Sequence, residues 1–116
     1  MPDRIVLVCG GRNYNDRAHT FLTLDRMHKE RPITKVIHGA ARGADTLGGD
    51  WARARRIPVQ AFPAQWNTEG RAAGPKRNQR MLDQGHPTEV LAFPGGTGTA
   101  DMKRRARTAG VPVLDA

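Results

Sequence analysis

The feature that most constrains the fold is the regular alternation of short aliphatic runs with longer segments of helical character. The first run, Ile5-Val6-Leu7-Val8, is apolar at every position, which is typical of a strand buried on both faces of a sheet. Four further runs predict strands over residues 35–38, 58–62, 89–93 and 111–114. An alternating order of strands and helices favours a parallel sheet with right-handed crossovers.

The segments between these runs predict the helices. Asp16 is a plausible N-cap for a helix whose inner face carries Phe21, Leu24 and either Met27 or His28. The clearest amphipathic pattern repeats at helical spacing over Ala44, Leu47, Gly48, Trp51 and Ala52. We therefore expect an α/β fold over residues 1–116: a single Rossmann-like three-layer domain, with a parallel sheet of about five strands and helices on both faces.

The second half of the chain contains two helices and a less regular segment. Residues 63–74 carry Pro, Gly, Asn and Thr without periodicity, which predicts a loop. Pro75 suits the first turn of a helix that runs through Met81 and Leu82. The last helix is predicted to begin near Thr99 or Ala100 and to end at Gly110, a favourable residue after a helix.

Composition limits the classes of partner and compartment. Lys and Arg number 19 against 11 Asp and Glu, a net charge of +8, which favours polyanionic partners or provides a solvated basic face. Cys9 is the single cysteine, so we expect no internal disulfide, a reducing compartment and a buried thiol. The absence of a signal peptide and of a membrane span predicts a soluble, cytoplasmic protein. The four histidines are scattered, so no metal site and no cofactor are predicted.

Glycine-rich segments follow three of the predicted strands. They are Gly10-Gly11-Arg12, the stretch from Gly39 to Asp45, and the turn Pro94-Gly95-Gly96-Thr97-Gly98-Thr99. Ligands of open parallel sheets bind outside the carboxyl ends of the strands, and amides at the start of a following helix attract anions. The sequence therefore predicts a site for a phosphate-bearing ligand at this edge of the sheet.

The turn Pro94–Thr99 carries the strongest signal, because three glycines and two hydroxyls lie between a buried strand and a helix. The hydroxyls of Thr97 and Thr99 can bind phosphate or cap the helix. Neither a Walker loop nor a Gly-x-Gly-x-x-Gly fingerprint after the first strand is present.

Charged and aromatic residues accompany these glycines. Four arginines that could bind phosphate fall in or beside the predicted loops: Arg12, Arg42, Arg71 and Arg77. Asp45 could pair with Arg42, bind a ribose hydroxyl, or simply favour the helix N-terminus. Trp66 could stack on a base or pin its loop, and His38 is expected to be a core histidine with its hydrogen bonds satisfied.

At these residues the chain resembles a known superfamily. The turn Pro94–Thr99 is similar to the Pro-Gly-Gly-x-Gly-Thr motif of the Lonely Guy (LOG) phosphoribohydrolases, which is shared across the SLOG superfamily with the DNA-processing protein DprA. The whole chain resembles the small YspA-type branch, through Cys9–Arg12, His38–Asp45, and Gly74–Asn78 with Met81. The expected ligand-binding residues are Gly10, Gly11, Arg12, Gly39, Arg42, Gly43, Asp45, Arg77, Asn78, Pro94, Gly95, Gly96, Thr97, Gly98 and Thr99.

The resemblance implies nucleotide or nucleotide-derived ligands, and also a homodimer. LOG enzymes pair the glycine turn with a glutamate, but the corresponding position here is Met102, with Asp101 one residue earlier. Arg77 matches the LOG arginine, whereas Asn78 replaces the following lysine. Three readings stay open: a nucleotide sensor or carrier, a nucleoside-monophosphate N-glycosidase assisted by Arg77 and Asp101, and a DprA-like binder of single-stranded nucleic acid.

Overall fold

A computed structural model describes residues 2–116, and its elements follow the predicted alternation. The strands are β1 (Ile5–Cys9), β2 (Lys35–His38), β3 (Val59–Ala61), β4 (Glu89–Ala92) and β5 (Val113–Asp115). The helices are α1 (Arg17–Glu30), α2 (Ala44–Ala54), α3 (Trp66–Glu69), α4 (Ala73–Gly85) and α5 (Thr97–Thr108). Along residues 2–116, no helix combines the length and the apolar character needed to cross a membrane.

All neighbouring strands pair in parallel, in the order β3-β2-β1-β4-β5. The chain starts at the central strand, adds β2 and β3 on one side, and then returns to place β4 on the other side of β1. The order therefore reverses between β1 and β4, the point at which doubly wound sheets open a crevice for a ligand. The predicted fold class, a parallel α/β sheet of five strands, is confirmed.

The apolar side chains of β1 divide between two cores because successive residues of a strand point to opposite faces. Val6 and Val8 pack in one core with Leu24 of α1 and Trp51 of α2. The other core holds the intervening Leu7 and Cys9, together with apolar side chains of α4 and α5. The helices thus cover both faces of the sheet, as the continuous apolar runs predict.

The first helix confirms its predicted cap. The Asp16 carboxylate accepts a hydrogen bond of 3.0 Å from the backbone N–H of His19, which satisfies a donor that has no partner within the helix.

The predicted loop over residues 63–74 is wrong. This stretch contains the single-turn helix α3, a 3₁₀ turn at Gly70–Ala72 and the start of α4 at Ala73. A four-residue helix is too short to show a periodic pattern. Tertiary ion pairs also hold the stretch in place, because Glu69 contacts Lys76 and Arg80 of α4.

The last helix begins at Thr97, two or three residues before the predicted start near Thr99 or Ala100. Gly96 takes the N-cap position without a side-chain hydrogen bond, so neither threonine caps the helix. This difference matters for the site, because it places Thr97, Gly98 and Thr99 in the first turn of α5.

A buried ion pair lies at the amino-terminal edge of the sheet, opposite the glycine-rich loops. Arg4 donates to Glu89 from Nε at 2.6 Å and from Nη2 at 3.2 Å. The same guanidinium donates to the carbonyl oxygens of Met27 and Arg31, at 2.6 and 2.7 Å. This contact joins β4 to the end of α1 and was not predicted from the sequence.

Candidate ligand-binding site

A cavity of about 720 Å³ opens at the carboxyl ends of β1 and β4, where the strand order reverses. We name it the rim cavity. Its volume lies within the range of small-molecule sites. It is lined by Cys9, Gly10, Gly11, Arg12, Ala41, Asp45, Trp66, Arg71, Gly74, Pro75, Arg77, Asn78, Met81, Gly96, Thr97, Gly98, Thr99, Asp101, Met102 and Arg104.

The first turn of α5 forms one wall of this cavity. The backbone N–H groups of Thr97, Gly98 and Thr99 have no hydrogen-bond partner among the described residues, as expected for a helix N-terminus. A Cβ added to Gly96 or Gly98 would meet no heavy atom within 4 Å, so open space lies beside the backbone there. Free amides, open space and the helix dipole together suit an anionic group.

The loops after β1, β2 and β4 touch one another through their glycines. The Gly11 N–H donates to the Pro94 carbonyl oxygen at 2.8 Å, which joins the loops after β1 and β4. Gly43 has a φ of +83°, and a Cβ there would clash with the Gly11 carbonyl oxygen. These contacts explain why glycines that do not line the cavity are still needed to bring its walls together.

A chain of hydrogen bonds connects three residues that the sequence singled out. Arg77 Nε donates to Asn78 Oδ1 at 3.0 Å, and Asn78 Nδ2 donates to Asp101 Oδ2 at 3.0 Å. Asn78 Nδ2 also donates to the Gly98 carbonyl oxygen at 3.3 Å. Asn78 therefore holds α4 against the first turn of α5, while Arg77 donates to the Gly39 carbonyl oxygen in the loop after β2.

Both carboxylate oxygens of Asp101 accept hydrogen bonds from other side chains. Besides Asn78, it accepts from Arg104 at 2.5 Å and from Arg105 at 2.8 Å. Burial alone would raise its pKa, but the hydrogen bonds from Asn78 and Arg105 outweigh burial and lower it. Asp101 is consequently an ionised structural carboxylate, and Met102 beside it is 1% exposed and packs in the core under α5.

Asp45 is the carboxylate that remains available in the cavity. Its Oδ2 accepts from the N–H groups of Gly39 at 3.0 Å and Ala41 at 3.2 Å. Burial raises its pKa to about 6, against the opposing influence of these amides and of Arg77 and Arg12. No ion pair joins it to Arg42. A buried carboxyl with a perturbed pKa in a cleft is a frequent feature of functional sites.

Three cations on the cavity wall have no acidic partner among the described residues. The Arg12 guanidinium lies over the Trp66 ring, 5.7 Å from its centroid. Arg71 is exposed and forms no ion pair. Together with Arg77, whose guanidinium is bound only to neutral groups, these side chains make the wall electropositive.

Most of the residues expected from the sequence surround the rim cavity, but not all. Gly39, Gly43, Pro94 and Gly95 do not line it, and Arg42 is exposed outside it. Arg104 lines the cavity and was not expected, because a residue on the polar face of a helix carries no signal of its own.

The sequence predicted that two side chains near the rim, His38 and Cys9, are buried, and both are. His38 is buried as expected, and its Nδ1 accepts from the Ala40 N–H at 2.9 Å, but its Nε2 has no partner within residues 2–116. Burial lowers the pKa of this imidazole. Burial also raises the pKa of Cys9 to about 12, so its thiol is protonated and not a nucleophile at neutral pH.

The fold and this site define a class: a doubly wound α/β protein with a glycine-rich, amide-lined cavity at the switch point of its parallel sheet. Comparison of the sequence with models of protein families then identifies the family. Residues 4–68 match the model described as the YspA, cpYpsA-related SLOG family. The chain belongs to this family, and membership indicates in broad terms a nucleotide-related ligand.

The chain is also similar to individual proteins, over different shares of their length. The gene 61 protein of Mycobacterium phage D29 is 36% identical over 120 residues, which cover 97% of this chain and 95% of that protein. A stretch of 61 residues is 36% identical to part of the protein translocase subunit SecA of Granulibacter bethesdensis, covering 53% of this chain and 6% of SecA. Among solved structures, the C-terminal domain of a Pyrococcus furiosus hydrogenase aligns over the whole chain and 95% of its own, with 17% identity and a TM-score of 0.49.

Proposed function

We propose that this protein binds a nucleotide or nucleotide-derived ligand in the rim cavity and serves as a sensor or carrier of that ligand. The observation that carries the proposal is the first turn of α5, where three free amides border open space at the switch point of the sheet. Phosphate groups are well suited to such amides, since each unpaired N–H gains a hydrogen bond and the helix dipole attracts the negative charge.

The charges and the aromatic ring of the cavity support a nucleotide over a simple anion. Arg12 and Arg71 are free to bind further phosphate oxygens. Trp66 is 50% exposed and offers a ring face at the cavity wall on which a base can stack. The family assignment points in the same direction.

Binding without turnover is favoured by the state of the carboxylate near the LOG position. Cleavage of an N-glycosidic bond develops positive charge on the sugar, which a nearby carboxylate stabilises. Asp101 already accepts from three side chains and its pKa is lowered, so it has neither a free oxygen nor a proton to contribute. Met102, at the position of the LOG glutamate, lies in the core.

The test is a thermal-shift and fluorescence screen against nucleotides and nucleotide derivatives, followed by chromatography of every hit. Trp66 lines the cavity, whereas Trp51 is fully buried, so a ligand-dependent change in emission reports on the rim. A ligand at 100 times its dissociation constant adds about 2.7 kcal/mol to the free energy of unfolding.

Two arginine variants make the test specific to the cavity. Arg71→Ala removes an unpaired cation from the wall and should weaken binding by about tenfold or more, since a hydrogen bond to a charged group contributes about 1.5–3 kcal/mol. Arg26→Ala removes an exposed arginine from α1 outside the cavity and should leave affinity unchanged. Release of free base would instead indicate a glycosidase. Affinity for single-stranded DNA alone, falling steeply with salt, would indicate a nucleic-acid binder.

A further inference from the structure

A carboxylate oxygen in the rim cavity has no hydrogen-bond partner in the part of the chain that the structure describes. Asp45 is 6% exposed, and its Oδ2 is occupied by the N–H groups of Gly39 and Ala41. Its Oδ1 accepts no hydrogen bond from any described residue, although the side chain lines the cavity. Oδ1 is not among the fully buried atoms without a partner, so a ligand or water in the cavity can reach it and supply a donor.

The position of this oxygen relative to the other cavity groups limits what can approach it. An ionised carboxylate accepts hydrogen bonds and repels anions. The free amides of α5 and the cations Arg12 and Arg71 attract phosphate instead. The part of the ligand that reaches Asp45 is therefore uncharged or cationic and carries a hydrogen-bond donor.

The aromatic ring in the cavity indicates where the base of a bound nucleotide stacks, and this place is not at Asp45. Trp66 is the aromatic residue among those lining the cavity; its side chain is exposed, whereas Asp45 is buried. A base stacked there and a phosphate at the first turn of α5 leave the sugar as the group that faces the buried Asp45. Resting on the proposed function, we infer that Asp45 Oδ1 accepts a hydrogen bond from a ribose hydroxyl, so that the ligand is a ribonucleotide or contains one.

The experiment compares the affinities of nucleotides that differ only in their sugar, measured at pH 7.5 by titration of tryptophan fluorescence. The probes are the 5′-mono- and diphosphates of the four common ribonucleosides, with their 2′-deoxy and 2′,3′-dideoxy counterparts. At least one ribonucleotide should bind, and its dideoxy form should bind about tenfold more weakly or worse, because a hydrogen bond to a charged group is lost. The 2′-deoxy form then assigns the contact to the 2′- or the 3′-hydroxyl.

Two isosteric variants test the assignment to Asp45. Asp45→Asn keeps an oxygen for the amides of Gly39 and Ala41 but presents an NH₂ group in place of Oδ1, so the preference for the ribose form should disappear. Asp50→Asn makes the same change on α2 outside the cavity and should keep the preference.

The outcomes separate this inference from the proposed function. Equal affinity of the wild-type protein for ribose and dideoxy forms would overturn the role of Asp45 and leave nucleotide binding intact. A ribose preference that persists in Asp45→Asn would likewise overturn it. Failure of every nucleotide and nucleotide derivative to bind would overturn the proposed function, and the inference with it.

Discussion

The buried Asp45 carboxyl should make the stability of this protein depend on pH in the opposite direction from a carboxylate whose pKa is lowered on folding. Its pKa is raised from 3.8 to about 6, mainly by burial. The folded state therefore holds this proton more tightly than the unfolded state between about pH 4 and pH 6. In that window the folded state binds more protons, so the contribution of Asp45 to stability falls as pH rises. Above pH 6 the carboxyl is ionised in both states, and the free energy of unfolding is lowered by the full cost of burying its charge.

The magnitude follows from the size of the shift. A change of about two pKa units corresponds to roughly 3 kcal/mol, at about 1.4 kcal/mol per unit. Asp45→Asn cannot ionise and keeps an acceptor for the Gly39 and Ala41 amides. The free energy of unfolding of the variant minus that of the wild-type protein should therefore increase by up to about 3 kcal/mol between pH 4 and pH 7.

The assay is urea denaturation at half-unit pH steps, followed by circular dichroism. Carboxylates with lowered pKa, such as Asp25 and Asp115, lose their stabilising contribution as pH falls. They are present in both proteins and cancel in the difference. Asp50→Asn, which removes a carboxylate from the same helix outside the cavity, is the control. A difference that stays flat from pH 4 to pH 7, or that decreases with pH, would refute the reasoning.

Two substitutions test the cavity wall and the opposite edge of the sheet. Gly98→Ala should stabilise the fold by about 0.5–1 kcal/mol, because the position is helical and a Cβ meets no neighbour, yet it should weaken nucleotide binding by placing a methyl beside the free amides. Equal affinity in this variant would show that the ligand does not approach that turn. Glu89→Ala should cost about 3–5 kcal/mol in urea denaturation, because Arg4 is left buried without its counter-ion. A loss below 1 kcal/mol would contradict this account, and the neighbouring exposed Thr88 provides a control in Thr88→Ser.

Local patterns in the sequence were sufficient to predict the parallel sheet. A strand such as Ile5–Cys9, buried on both faces, must be apolar at nearly every position, and that run is visible without knowing its neighbours. The Asp16 cap depends on contacts within three residues and was found for the same reason. The helical turns within residues 63–74 were not predicted because this stretch has no periodic apolar pattern. It is held instead by ion pairs from Glu69 to the next helix.

The sequence by itself determined the fold class, the family and the glycine-rich segments that meet at the carboxyl edge of the sheet. Only the tertiary structure decided the states of the two carboxylates near them. Arg104 and Arg105 reach Asp101 along the same helix, but its remaining donor, Asn78, is 23 residues away in the chain and packs against it only in the folded protein. Asp45 is buried yet keeps one oxygen free because loops from three strands close around it. Burial and hydrogen bonding depend on which distant residues become neighbours, and neither follows from the identity of an aspartate or its place in a motif.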